Sequence, residues 1–281
     1  MNSSFFHDKT ILVTGAGSGL GRELALRLCR NGAKVTALSK TAEKLESLRL
    51  EVQGMGSGSC EVLSCNVTHR DEVIRRLQNE PIEIAILNAG IKEKGNEPFS
   101  AGKIRATFEA NIFGVVNCIE ALLPDMIKRG KGHLVFISSL GGHHGITEAH
   151  GYNASKAALS ILADSLRMDF KRSGVPITVT VVKPGPFDTA MIDQGGLVKL
   201  FAITKERTAE RILKGIAKGR THLVFPKIFY LLTLLVAALP KRLQGFLLSR
   251  AKGSVSLREP SSCQTSTSQA PTGQAQAGLE R

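Results

Sequence analysis

The sequence has no Cys-x-x-Cys pair, no tryptophan and only two tyrosines. Its five cysteines, Cys29, Cys60, Cys65, Cys118 and Cys263, are scattered and odd in number, which argues against a disulfide framework or a zinc site. A reducing, cytoplasmic setting is expected. The opening residues MNSSFFHDK lack a basic start and an apolar run, so no secretory leader is expected. The apolar run 228–239 has 12 residues, short of the ~20 that a bilayer-spanning helix needs. Aromatic residues are not interleaved with basic ones as a nucleic-acid stacking platform requires, so no nucleic acid partner is expected. The 28 glycines follow no period, which excludes collagen-like repeats.

What is present is ordinary globular composition: 281 residues, 42% apolar and 22% charged. That suffices for a sizeable core and excludes disorder over most of the length. The formal net charge is +13, and residues 183–252 carry 13 Lys/Arg against Asp188, Asp193, Glu206 and Glu210. An excess placed there favours an anionic membrane surface as a partner. Up to residue 225, short apolar runs at 9–14, 34–38, 60–64, 82–87, 133–138, 177–183 and 222–225 read as strands. They alternate with helical patterns at 20–31, 42–53, 70–79, 102–129, 152–172 and 205–218. Near-continuous apolar strands separated by helices predict a doubly wound, Rossmann-like parallel sheet of about seven strands, covered on both faces. Residues 1–225 form this single α/β domain. An apolar and basic extension follows at 226–252, and 253–281, poor in apolar residues, reads as a disordered tail.

Thr14-Gly15-Ala16-Gly17-Ser18-Gly19-Leu20-Gly21 lies between the first strand and the first helix. Gly15 permits a tight turn, Gly19 lets a pyrophosphate approach the backbone, and Gly21 allows close helix–strand packing. The phosphates would lie against the amides of the helix N-terminus, near Ser18 and Leu20. This TGxxxGxG spacing, with the motifs that follow it, resembles the classical short-chain dehydrogenase/reductase family. Asn88-Ala89-Gly90 matches the family's NAG motif at the end of the fourth strand, and Asn111-Ile112-Phe113-Gly114 its NxxG. Ser138-Ser139 closes the fifth strand, Tyr152-Asn153-Ala154-Ser155-Lys156 is the YxxxK motif, and Pro184-Gly185 with Thr189 follows the sixth strand.

Tyr152 and Lys156 stand at i and i+4, on one helix face. A free phenol titrates near 10, and a nearby ammonium, assisted by an oxidised nicotinamide, brings it down toward useful proton transfer. Tyr152 then protonates a carbonyl oxygen as hydride arrives, or deprotonates the alcohol in reverse. The resemblance implies that Ser139, not Ser138, holds the substrate oxygen. It also implies that Lys156 binds the nicotinamide ribose and that Asn111 helps hold a proton-relay water. Cofactor contacts are expected from the glycine loop, Asn66 and Val67, Asn88 to Gly90, Tyr152, Lys156, Pro184, Gly185 and Thr189. At the end of the second strand, Ser39 and Lys40 replace the acidic residue that would hydrogen-bond the ribose of NAD, so NADP(H) is expected over NAD(H). Ser18, where many NADP users are basic, and Asn66, where the family usually has Asp, depart from the pattern.

His143, His144 and His150 lie between Ser139 and Tyr152, with only Glu148 to complete a cage, so they read as pocket lining rather than a metal site. Residues 190–203 hold seven apolar side chains. They either lid an apolar carbonyl or alcohol substrate (a keto-lipid, fatty-acyl or steroid-like compound) or pack on the C-terminal helices. A nucleotide-binding scaffold on a dead reductase would lack Tyr152, Lys156 or Ser139, and all three are present. An epimerase or dehydratase relative would carry a TGxxGxxG spacing. Segment 226–252 reads as a peripheral membrane contact or as a surface packed on the core or in a homo-oligomer, dimer or tetramer.

Overall fold

In the computed structural model the described residues are 3–92, 99–145, 149–186 and 203–250. Seven parallel strands form one sheet: β1 (Thr10–Thr14), β2 (Lys34–Ser39), β3 (Ser59–Ser64), β4 (Ile84–Leu87), β5 (Gly132–Ile137), β6 (Ile177–Pro184) and β7 (His222–Phe225). Their spatial order is β3-β2-β1-β4-β5-β6-β7. Successive strands run outward in one direction from β1 and in the other from β4. The carboxyl ends of β1 and β4 therefore splay the connections apart and leave a crevice, where open α/β sheets take their ligands.

Strand side chains alternate between two cores. Ile11 and Val13 of β1 point to one face with Leu24, Leu28, Leu45 and Ile212, whereas Leu12 points to the other with Val115, Leu122 and Leu159. The first face is covered by α1 (Gly19–Arg30), α2 (Ala42–Gln53) and α7 (Lys205–Ala217). The second is covered by α3 (Arg70–Leu77), α5 (Gly114–Arg129) and α6 (His150–Arg172). In α1, Leu20, Leu24 and Leu28 recur every fourth residue and are buried, so the helix turns one apolar stripe to the sheet. Burying β4 and β5 on both faces removes the polar alternation an exposed sheet would show.

Two features differ from the expectation. The helix expected over 102–129 is α4 (Ala101–Phe108), a π turn at Glu109–Phe113, and α5. The wider turn accompanies a tertiary demand on Asn111, whose buried amide bonds residues far away in sequence. Beyond β7, the apolar run forms α8 (Lys227–Ala238), and a further helix, α9 (Lys241–Arg250), covers most of the rest of the apolar and basic extension, where no helix was expected. Segment 253–281, expected as a tail, lies outside the described residues.

Candidate active site

Thr14 ends β1 and joins it to the end of β4. Its Oγ1 accepts from the amides of Asn88 (3.0 Å) and Ala89 (2.9 Å), and Asn88 Nδ2 donates to the Thr14 carbonyl at 3.0 Å. The glycine loop is built on this stitch. Gly15 is left-handed at φ +68°, and a Cβ there would stand 3.0 Å from Ala89 Cα. Gly21 is packed harder still, with a hypothetical Cβ 2.6 Å from Asn88 Nδ2. Gly19, also left-handed at φ +57°, faces open space, with no atom within 4 Å of a hypothetical Cβ. Ser18 precedes α1 without its side chain capping the helix, and no acidic residue sits in the first turn. An uncapped, positive helix end facing open space fits the pyrophosphate of a dinucleotide.

Other expected cofactor residues lie at or just past the carboxyl ends of β2, β3 and β6. Ser39 ends β2 beside the loop, its Oγ 2.9 Å from a hypothetical Cβ on Gly17, and Lys40 next to it is exposed. Asn66 Oδ1 accepts from the Thr68 amide at 3.2 Å, which fixes the turn after β3. Val67 is buried, its carbonyl held by Asn117 Nδ2 at 2.9 Å and its side chain against Gly114. Gly185, just past β6, donates its amide to the Phe225 carbonyl at 2.8 Å and packs on Pro226. Thr189 and most of the apolar segment 190–203 lie outside the described residues.

At the carboxyl ends of β4 and β5, the proton-handling groups converge. The Ser139 hydroxyl accepts from the Gly141 amide at 3.1 Å and hydrogen-bonds the Tyr152 phenol. Ser138, one residue earlier, points into the core, donating to the Lys156 carbonyl at 2.7 Å and meeting Ser160 Oγ at 2.8 Å. The Lys156 ammonium is buried, donates to the Ile137 carbonyl at 2.7 Å and stands 5.9 Å from the Tyr152 ring centre. Lys92, which no sequence pattern singled out, places its own ammonium 5.8 Å from that ring. Gly90 keeps the floor open, since a Cβ there would meet Asn111 Oδ1 at 2.8 Å and Lys156 Nζ at 3.6 Å.

Asn111 is buried in the π turn. Its Nδ2 donates to the Ile91 carbonyl (3.0 Å) and to Ser155 Oγ (2.9 Å), and its Oδ1 accepts from the Ile91 amide (2.7 Å). Ser155 in turn donates to the Tyr152 carbonyl at 2.8 Å. One buried amide thus ties the loop after β4 to the first turns of α6. Thr14, Asn117 and Ser155 went unassigned in the sequence because each bonds a group far along the chain: Thr14 and Asn117 backbone, Ser155 the Asn111 side chain.

Electrostatics follow from burial. Burial pushes the Tyr152 phenol above its ordinary value, and the Ser139 hydrogen bond opposes this without reversing it. Burial also draws the Lys156 ammonium down to about 8. Both shifts have the same cause, burial that disfavours the charged phenolate and the charged ammonium alike. The phenol rests protonated, ready to donate. His143 and His144 follow Ser139 in a 3₁₀ turn (Leu140–His143) and its next residue, and their Nε2 atoms are buried without a partner among the described residues. Burial, helped by Lys183 and His144, keeps His143 below the usual imidazole value, and its ring lies 5.5 Å from that of Tyr230 in α8. His150 is exposed at the start of α6, and Glu148 lies outside the described residues.

Comparison with known proteins agrees with this geometry. The short chain dehydrogenase family model matches residues 9–196. A Myxococcus xanthus protein, named only as an uncharacterized oxidoreductase, is 35% identical over 241 residues, spanning 84% of this chain and 94% of its own. A short-chain dehydrogenase from Sphingobium yanoikuyae, solved with NADPH, superposes with a TM-score of 0.70 at 23% identity, over 83% of this chain and 97% of that one. A 3-oxoacyl-[acyl-carrier protein] reductase from Brucella melitensis, solved with NAD, gives 0.71 at 22% identity, over 80% and 94%. The motif-bearing crevice and the match across most of the chain make this protein a member of the short-chain dehydrogenase family, an NAD(P)-dependent oxidoreductase.

Proposed function

We propose that the protein is an NADP(H)-dependent reductase, reversible as a dehydrogenase, of an apolar carbonyl compound. The observation that carries the reading is the convergence of the Ser139 hydroxyl, the Tyr152 phenol and the buried Lys156 ammonium at the sheet's switch point. Nicotinamide, when bound, supplies the hydride. The protein's part is to hold the carbonyl oxygen and to deliver a proton to it. Ser139, oriented by the Gly141 amide, donates to that oxygen alongside Tyr152. Tyr152 gives its proton to the oxygen as negative charge develops there. The two ammoniums near its ring, Lys156 and Lys92, stabilise the phenolate left behind.

Asn111 supports this without touching substrate through its side chain, which is committed to Ile91 and Ser155. A relay water that reprotonates Tyr152 is then held by main-chain groups of the π turn. Ser18, Gly19, Leu20 and Gly21 hold the pyrophosphate, and Gly15 and Asn88 to Gly90 shape the wall beside it. Asn66 and Val67 border the adenine, while Lys156, Pro184 and Gly185 face the nicotinamide half, to which the motif also assigns Thr189. Support for NADP(H) comes from the far end of the cradle, where Ser39 stands at the end of β2 in place of a carboxylate and exposed Lys40 beside it suits a 2′-phosphate. The apolar substrate is supported by Met191, Ile192, Leu197, Val198, Leu200, Phe201 and Ile203 in the sequence of 190–203 and by the Tyr230 ring against His143, in the loop that precedes Tyr152.

Oxidation of NADPH and of NADH, followed against ketones of rising alkyl chain length, tests the proposal. NADPH should win, with kcat/KM climbing as the chain lengthens. A preference for NADH, or for short polar ketones, would overturn the cofactor or the substrate assignment respectively.

A further inference from the structure

Helices α8 and α9 turn their apolar side chains the wrong way for a soluble surface. Ile228, Leu231, Leu232 and Leu235 recur at i, i+3, i+4 and i+7, one stripe of the helix, and are 61%, 57%, 43% and 58% exposed. Tyr230, Thr233 and Val236 lie on the less exposed side, where Tyr230 meets His143. In α9 the same inversion holds, with Leu243, Phe246 and Leu247 exposed at i, i+3 and i+4 while Gln244 is buried. Gln244 fixes the pair: its Nε2 donates to the carbonyls of Ala237 (2.9 Å) and Leu239 (2.7 Å), the end of α8. Gln244 thus ties the start of α9 to the end of α8, and the apolar side chains that the two helices expose make up the plate.

The charge around the plate is of one sign. Lys227 opens α8, Lys241 and Arg242 open α9, all three exposed, and no Asp or Glu occurs from 211 to 258. A second copy of the chain laid on this face would bring like charges together, whereas an anionic lipid surface would meet them. As a helix of 12 residues, α8 is roughly 18 Å long, too short to cross a hydrocarbon core of ~30 Å. It suits the headgroup boundary, where apolar side chains sink while flanking cations stay in water.

The plate adjoins the active site. The Tyr230 ring meets that of His143, four residues after Ser139, at a tilt of 53°, and Pro226, the residue before α8, packs on Gly185. We infer that the α8–α9 plate docks the protein peripherally on an anionic membrane surface, with the mouth of the active site held beside the bilayer. The inference stands apart from the substrate assignment, because it concerns a face and not the reaction.

Sedimentation of the full-length protein with vesicles tests it, using phosphatidylcholine alone and phosphatidylcholine with phosphatidylglycerol. The wild type should bind the phosphatidylglycerol vesicles, lose most binding at high salt, and bind pure phosphatidylcholine weakly. Leu231→Asp with Leu235→Asp should abolish binding. Lys241→Glu with Arg242→Glu should weaken it by roughly 30-fold or more, since each cation near such a surface contributes about fivefold. Unchanged turnover of a water-soluble ketone and unchanged melting temperature in these variants would show that folding and chemistry survive. Equal binding to both vesicle types would overturn the anionic assignment. Binding that resists salt and carbonate would mean insertion and overturn the peripheral one. No binding at all would overturn the inference: a dimer split by Leu231→Asp would then assign the plate to a second copy, and a monomer to cover by the chain's own residues. A protein that binds vesicles yet reduces no ketone would leave the docking intact and refute only the proposed reaction.

Discussion

Gly21→Ala should lower stability before it has any chance to affect chemistry. The added Cβ would stand 2.6 Å from Asn88 Nδ2 and closer still to the Gly15 carbonyl oxygen. Either α1 retreats from the loop, or Asn88 releases the Thr14 carbonyl that it holds at 3.0 Å. Overpacking of this kind costs about 1–3 kcal/mol, and a lost hydrogen bond about 1 more. Alanine's better helix propensity returns up to about 1 kcal/mol. The net loss of roughly 1–3 kcal/mol corresponds to a melting temperature lower by roughly 2–12 °C for a domain of this size. Gly102→Ala is the matched control, because it lies in α4 with nothing within 4 Å of the new Cβ. It should melt at or slightly above the wild-type temperature. Differential scanning fluorimetry without cofactor reads both. Gly21→Ala melting at or above wild type would refute the close packing of α1 on the glycine loop.

Other outcomes separate the roles of neighbouring residues. Ser139→Ala should reduce turnover by about a hundredfold with little change in melting temperature, whereas Ser138→Ala should cost about 1 kcal/mol of stability because it removes buried bonds to the Lys156 carbonyl and to Ser160, which keep their bond to each other. The reverse ranking in turnover would move the substrate contact to Ser138. Lys40→Asp should erase or invert the preference for NADPH by placing a negative charge where a 2′-phosphate binds, and equal dissociation constants for NADPH in the two proteins would remove Lys40 from the site. For carbonyl reduction, kcat/KM should fall as pH rises through about 8, because Lys156 is charged below that value and neutral above it, while the Tyr152 phenol stays protonated. A profile flat to pH 10 would show that the lysine charge does not assist the phenol.

How far the sequence could be read depended on the range of the interactions involved. Strands such as Ile84–Leu87 announce themselves because burial on both faces demands an unbroken apolar run. Tyr152 and Lys156 are legible because one helix turn brings i and i+4 together. The π turn at Asn111 was not legible: its cause is a pair of bonds to Ile91 and one to Ser155, 20 and 44 residues away. Lys92 likewise gave no local sign, since only the fold carries the end of β4 to α6. In α9, the central Gly245 and the polar Gln244 broke up the apolar pattern, and the helix is evident only through Gln244's bonds to the end of α8. The raised phenol is a consequence of burial, which a motif does not record.

Catalysis turns on the Tyr152 hydroxyl delivering the proton to the substrate carbonyl. Tyr152→Phe removes one oxygen atom from a half-buried ring and leaves the ring's neighbours in place. The decisive measurement is NADPH consumption with a ketone turned over by the wild type, made alongside NADPH binding by fluorescence. Turnover at least about a hundredfold lower, with NADPH bound as tightly as before, is the predicted result. Turnover within a few-fold of wild type would contradict the mechanism.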